Sequence, residues 1–344
     1  MRLMNSKTHH AIGTLCLISA VALALALWPT ETRAQQPSSA QQMDTLMMRR
    51  MERSARAVDE IQRRRFEEKK SDTNFPSDAA KSKGGVVRAL APEEQLALKH
   101  NERGLQLFAK GKQDDAIKEY QAAIRFDPKL AAAHNNLGSA YFALGRFEEA
   151  AASFRSAAEL DADYGQAFFN LALAQIKLGR EKEANETLNV ALRAYNSAGK
   201  THLEAGRLKE AEEAFRGMLQ IDPEYSGAFL RLGLVYNAAG RYEEAAQNAR
   251  RVSEREPGNA LAHEILAEAL YGQQKYGEAL ASAERALKIS PDSPEAHYLA
   301  GLARASLGQR DAALVHLTRL QQLKVPDLSQ PLSDFIEKKA PAKP

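Results

Sequence analysis

Asn135-Asn136-Leu137-Gly138-Ser139-Ala140-Tyr141, followed by Ala150, Phe154 and Ala157, is the stretch on which the fold turns. Its residues recur at a fixed interval. Gly104 and Gly138 are 34 apart, as are Ala116 and Ala150, Tyr120 and Phe154, and Ala123 and Ala157. Further on, Gly233 and Ala267, Ala245 and Ala279, and Pro257 and Pro291 keep the same spacing. A period of this length marks a solenoid built from one helical hairpin per unit. Each unit reads as two amphipathic helices, A and B, around a tight turn. The turn glycine recurs as Gly111, Gly145, Gly179, Gly206, Gly240 and Gly308, with Gln274 replacing it once. There it is expected to take the left-handed conformation of a helix C-cap. Pro128, Pro223, Pro257 and Pro291 stop helix B, because proline cannot continue a helix from the preceding turn.

The small residues Gly104, Gly138, Ala172, Gly199, Gly233, Ala267 and Gly301 fall in the middle of helix A. Glycine there costs about 1 kcal/mol against alanine, which implies a facing helix that comes very close. Ala116, Ala150, Ala184, Ala211, Ala245, Ala279 and Ala313 are the matching small residues of helix B. Acidic pairs such as Glu148-Glu149, Glu212-Glu213 and Glu243-Glu244 are placed to complement the dipole at the start of helix B.

This pattern resembles the tetratricopeptide repeat family. Asn135-Asn136-Leu137-Gly138 with Tyr141, Ala150, Phe154 and Ala157 follows that family's signature, as do Leu232-Gly233 with Tyr236, Ala245 and Pro257. The expected fold is all-α: an α-solenoid of about seven hairpins, at 97–130, 131–164, 165–191, 192–225, 226–259, 260–293 and 294–327. The resemblance implies a right-handed superhelix whose A helices line a concave groove. The third unit has 27 residues instead of 34, and no Pro or Gly lies between Arg180 and Ala198. An irregular junction is expected there, with the two helices either fused or joined by a cramped turn near Asn196-Ser197, and with a bend between two sub-arrays as one form of it. Leu332, Phe335 and Ile336 predict a short capping helix within 328–344, with Glu337, Lys338 and Lys339 outward and a frayed end from Ala340.

Before the repeats, residues 1–34 read as an export signal: Arg2 and Lys7, an apolar run from Ala11 to Trp28, and the small-x-small site Thr32-Arg33-Ala34. Pro29 and Ala34 favour cleavage over an uncleaved anchor at residues 11–28. Removing the segment takes Arg2, Lys7, Arg33 and Glu31 and so lowers the net charge from +3 to +1. It also removes Cys16, the one cysteine, which suits an oxidising compartment, periplasmic or secreted. The polar stretch 35–42 is expected to be disordered. Within 43–70, Met47, Met51, Val58 and Ile61 share one helical face, opposed by Arg49, Arg50, Arg53, Arg56 and Arg63-Arg64-Arg65. An oligomerising coiled coil, a helix resting on anionic lipid and a solvated spacer all satisfy that pattern. Residues 71–96 read as a flexible linker.

Among 344 residues, 47 Lys and Arg nearly balance 44 Asp and Glu, which gives no reason to expect a nucleic-acid partner. No catalytic, cofactor or metal constellation is expected, and the chain reads as non-enzymatic. His263-Glu264 lacks the second histidine of a zinc-protease helix, since Ala267 stands in its place. Gly84-Gly85 lacks a phosphate-loop context, and there is no Gly-x-Ser-x-Gly elbow. His100, His134, His263 and His297 repeat at one position of their units. Stacked layers about 8–10 Å apart cannot converge on one ion, so these read as semi-buried packing residues.

The expected function is a protein-interaction scaffold in the cell envelope that binds a peptide or protein segment in the groove. The alternative is a structural envelope protein, oligomerised or membrane-tethered through residues 43–70. By the resemblance, the inward-facing positions are Asn101, Phe108, Asn135, Asn136, Ser139, Phe142, Phe169, Asn170, Lys177, Lys200, Arg231, Tyr271 and Tyr298. Asn136 and Asn170 match a place where some family members bond an extended peptide backbone; equally, these carboxamides can bond their own scaffold. The family's carboxylate clamp, two lysines with an arginine and two asparagines, is not expected. Asn101, Leu105, Gln166 and Asn170 replace four of its five residues, and only Asn136 agrees.

Overall fold

The computed structural model describes residues 90–339. The export signal expected at 1–34, the helix expected at 43–70, most of the expected linker and the tail from Ala340 lie outside the described residues. Among the described residues there are fourteen helices and no strand. In chain order these are α1 (Pro92–Ala109), α2 (Gln113–Phe126), α3 (Ala131–Ala143), α4 (Phe147–Leu160), α5 (Gly165–Lys177), α6 (Glu181–Glu204) and α7 (Leu208–Ile221). They continue as α8 (Ser226–Ala238), α9 (Tyr242–Arg255), α10 (Ala260–Gly272), α11 (Tyr276–Ile289), α12 (Pro294–Ser306), α13 (Arg310–Gln322) and α14 (Pro326–Lys338). The first helix starts at Pro92, so residues 92–96 belong to the first hairpin and not to the linker. Proline at the first helical position has no N–H to lose there. Glu94 accepts from the Ala91 N–H at 2.8 Å, which satisfies one of the donors left over at that end.

The turn chemistry follows the spacing. Gly111, Gly145, Gly179, Gly206, Gly240 and Gly308 all have φ between 71° and 77°, and Gln274 takes φ 62° in the same place. Lys324 (φ 58°) adds a further left-handed turn, before α14, that no glycine announces. Two of the arginines after a turn glycine tie the hairpin. Arg146 lies 4.4 Å over the Tyr141 ring and bonds Glu149 at 2.7 Å. Arg241 lies 4.4 Å over Tyr236 and bonds Glu244 and Glu212. Glu212 itself lies beyond the first turn of α7, where Glu210 is the acidic residue. Its carboxylate pairs with Arg216 at 2.7 Å and Arg241 at 2.6 Å, so its role is an ion-pair hub and not dipole compensation.

The mid-helix glycines have a different cause from a close backbone approach. A Cβ on Gly104 would lie 2.5 Å from the Tyr120 ring, on Gly138 2.6 Å from Phe154, and on Gly199 2.4 Å from Phe215. In each case an aromatic ring sixteen residues on, from helix B of the same hairpin, occupies the space. Tyr120, Phe154 and Phe215 are at most 2% exposed, and they form the aromatic core of their hairpins. Where helix B has no aromatic at that place, the next layer fills the gap: Ile265 lies against Gly233, and Leu332 of α14 against Gly301.

The described residues fall into two compact units. One takes in everything up to Ala198 together with Gly217–Pro223; the other takes in Gly199–Arg216 and everything from Glu224. In the N-terminal unit, α1 to α5 pack as successive hairpins, each helix against the next. At the shortened third repeat the structure chooses fusion: α6 runs unbroken for 24 residues, serving as helix B of one unit and helix A of the next. Leu188 stands in the aromatic place, sixteen residues after Ala172, and Tyr195, seven residues on, covers Gly165 and Gly217 with its ring. In the C-terminal unit, α10 to α13 repeat the pattern, and α14 packs on α12 and α13. Leu328, Leu332 and Ile336 of α14 are at most 3% exposed, joining Tyr298, Leu302, Leu317 and Leu320 in one apolar cluster. The capping helix therefore forms, and it starts at Pro326, earlier than the expected 328.

Candidate functional site

The repeated histidines are hinge pins between repeats. His134, His263 and His297 each place Nε2 against the carbonyl oxygen of the proline six residues before, Pro128, Pro257 and Pro291, at 3.0, 3.2 and 2.9 Å. A carbonyl only accepts, so Nε2 carries the proton. The proline that ends one repeat is thereby fastened to the first turn of the next. His100, which has no preceding repeat, instead bonds Glu119 through Nδ1 at 2.7 Å and stacks on Phe126.

The A helices of the N-terminal unit carry a carboxamide ladder. Asn136 donates to Asn101 Oδ1 at 2.9 Å, and Asn170 donates to Asn135 Oδ1 at 2.9 Å, each step linking successive A helices. Gln166 donates to Asn170 Oδ1 at 2.8 Å, and Tyr195 donates to Gln166 Oε1 at 3.0 Å, extending the chain onto α6. The asparagines thus do bond their own scaffold. They differ in what remains: Asn170 is engaged at both ends, whereas the part-exposed Asn136 keeps its carbonyl oxygen clear of any protein donor.

Of the expected inward-facing residues, Asn101, Asn135, Phe169, Arg231 and Tyr298 are buried, at 2–9% exposure. Phe169 is core, so the aromatic lining reduces to Phe108 and Phe142. Phe108 packs against the first hairpin's cluster, and Phe142 meets Phe147 edge-on at 5.2 Å. Ser139 spends its hydroxyl on the Asn135 carbonyl at 3.0 Å. Lys177 is exposed and Lys200 half-buried. Arg231 donates to the Gly227 carbonyl at 3.2 Å, and burial lowers its pKa. Tyr271 shares a hydrogen bond with Ser306 at 3.2 Å, and burial raises its pKa.

In the C-terminal unit α10 carries acidic residues instead, Glu264 and Glu268. Asn237 is 1% exposed and donates both to the Ile265 carbonyl at 3.1 Å and to Glu268 Oε2 at 3.0 Å. Burial pushes the Glu268 carboxyl up to about 7, against the pull of the Asn237 amide. Glu264, also about 7, is raised by burial and by Glu295 while Ser293 holds it at 2.5 Å; burial raises Glu295 too. The sequence singles out Glu264 only beside His263, as a failed metal motif, although the repeat frame points to all three residues. Glu264 stands where Asn101 and Asn135 stand, Glu268 where Ser139 stands, and Asn237 where Phe108 and Phe142 stand.

Among the described residues no group of three or more His, Cys, Asp or Glu is placed to hold a metal, and no helix is long and apolar enough to cross a membrane. A family described as TPR repeat matches residues 104–145 and 138–179. Families described as Tetratricopeptide repeat match residues 230–294 and 266–323, 192–225, and 166–195. The chain belongs to the tetratricopeptide repeat family. No curated protein matches it. Similar solved structures include a tetratricopeptide repeat protein from Parabacteroides merdae ATCC 43184, 18% identical, covering 71% of this chain and 99% of that one, TM-score 0.38. Another is the second TPR of Spaghetti (RPAP3) bound to an HSP90 peptide, 31% identical over 29% of this chain and 94% of that one, TM-score 0.29. MamA from Desulfovibrio magneticus RS-1 is 18% identical over 56% of this chain and 94% of that one, TM-score 0.35. A tetratricopeptide array is a protein-interaction scaffold, because its stacked repeats present an extended row of A helices.

Proposed function

We propose that this scaffold works in the cell envelope and captures an extended protein segment on the A helices of the N-terminal unit. The observation that carries the reading is the carboxamide ladder. The bond from Asn136 to Asn101 fixes the Asn136 side chain, and its free carbonyl oxygen stands ready to accept a peptide N–H. A carboxamide held in this way recognises backbone without reading side chains, and it gives up little rotamer freedom on binding. Phe142, half-buried and six residues further along α3, offers an apolar flank to the same segment. The export signal supports the envelope location, and nothing in the described residues calls for catalysis.

The test is capture of a partner from an envelope extract by the full chain and by an Asn136→Ala/Phe142→Ala variant of equal helicity. Loss of the partner supports the site; unchanged capture rejects it. Fractionation of cells expressing the tagged chain tests the location, and a cytoplasmic signal would refute it.

A further inference from the structure

His297 differs from the other hinge-pin histidines in what faces its second nitrogen. The residue nineteen places on, in helix B of the same hairpin, is Ser153 opposite His134 and Ser282 opposite His263, but His316 opposite His297. The two Nδ1 atoms, one on α12 and one on α13, stand 3.0 Å apart, with ring centroids 5.3 Å apart.

We propose that His297 and His316 form a two-nitrogen site for a divalent copper ion. Equivalent histidines on stacked repeats cannot converge, but these two come from facing helices of a single hairpin and do. Imidazole nitrogens bind such metals at about 2.0–2.1 Å, so a 3.0 Å separation subtends roughly 90–97° at the ion. That is the cis angle of a tetragonal site, the geometry of Cu(II), which also stands highest in affinity among the divalent first-row ions. Water fills the other positions. The second shell is built: His297 Nε2 donates to the Pro291 carbonyl at 2.9 Å, which leaves Nδ1 as its lone-pair nitrogen.

Burial lowers the pKa of both histidines, that of His316 to about 4 with help from His297 and Arg304. Without metal, His316 donates its Nδ1 proton to His297 Nδ1. On binding, that proton moves to Nε2 of His316, so no net proton is released. The nearby cations are themselves paired, Arg304 with Glu284 at 2.7 Å and Arg319 with Asp292 at 2.5 Å. Gly301 lies beneath, where a Cβ would come 3.4 Å from His316 Cβ.

The test is Cu(II) titration of the full chain at pH 7.4, followed by electron paramagnetic resonance. It is done with His9 and His10 changed to Gln, so that the adjacent pair near the N-terminus does not compete. One equivalent should bind with hyperfine splitting from two nitrogens. His316→Ser, which installs the residue found at the same place in two other hairpins, should fold normally and weaken binding by at least about tenfold. A single-nitrogen spectrum, no binding, or equal affinity in the His316→Ser protein would overturn the proposal and leave the pair sharing only a proton.

Discussion

Glu268→Gln gives a sharp test of the electrostatics of the C-terminal unit. In the folded protein Oε2 accepts from Asn237 at 3.0 Å, while Oε1 is shut off from solvent without a donor. Burial raises the carboxyl from 4.5 to about 7. Between those values the folded chain binds more protons than the unfolded one, so stability falls as pH rises through the window. Each pKa unit is worth about 1.4 kcal/mol. Integrating from pH 5 to pH 8 gives a loss of about 2–3 kcal/mol from this one carboxyl. Glutamine keeps the shape and carries no charge. The variant should therefore gain about 2–3 kcal/mol relative to the parent on going from pH 5 to pH 8, whatever its own desolvation and packing differences, which are common to both pH values. Urea denaturation followed by helical circular dichroism at the two pH values gives the double difference directly. A difference near zero would mean that the carboxylate stays ionised in contact with water, and would refute the buried, neutral Glu268.

Two further outcomes follow from the glycine pattern. Gly138→Ala places a methyl 2.6 Å from the Phe154 ring, so it should destabilise by about 1–3 kcal/mol despite the higher helix propensity of alanine; a raised melting temperature would contradict this. Gln274→Gly relieves a left-handed residue at φ 62° and should stabilise by about 1 kcal/mol, read as a raised urea midpoint.

The repeat frame was legible because the residues that set it are those least free to vary physically: the turn glycines with φ near 74°, the helix-ending prolines, and the small-aromatic pairs such as Gly138 with Phe154. Even Gln274 was placed correctly from its position alone. The reason for the mid-helix glycines was not legible. A glycine signals closeness without saying whether a backbone or a ring occupies the space. The site was harder still. Asn136 and Asn170 have the same place in their repeats, but Gln166 ties up the second end of Asn170 and nothing does so for Asn136, a distinction made by neighbours and not by position. Phe169 is the counterpart of Asn101 and Asn135, and all three are buried, but the ring packs where the two carboxamides each accept a hydrogen bond from the next A helix. His316 was missed because it lies on helix B, away from the histidines whose repetition drew notice.

The unbroken α6 changes how the array comes apart. In a chain of hairpins each loop is a natural place for one element to melt while its neighbour stays intact, and the free energy divides into terms for units and terms for the seams between them. Where one helix supplies the second half of one hairpin and the first half of the next, no seam is left to open. The third and fourth repeats share the single helix Glu181–Glu204, with no loop between them at which unwinding could begin.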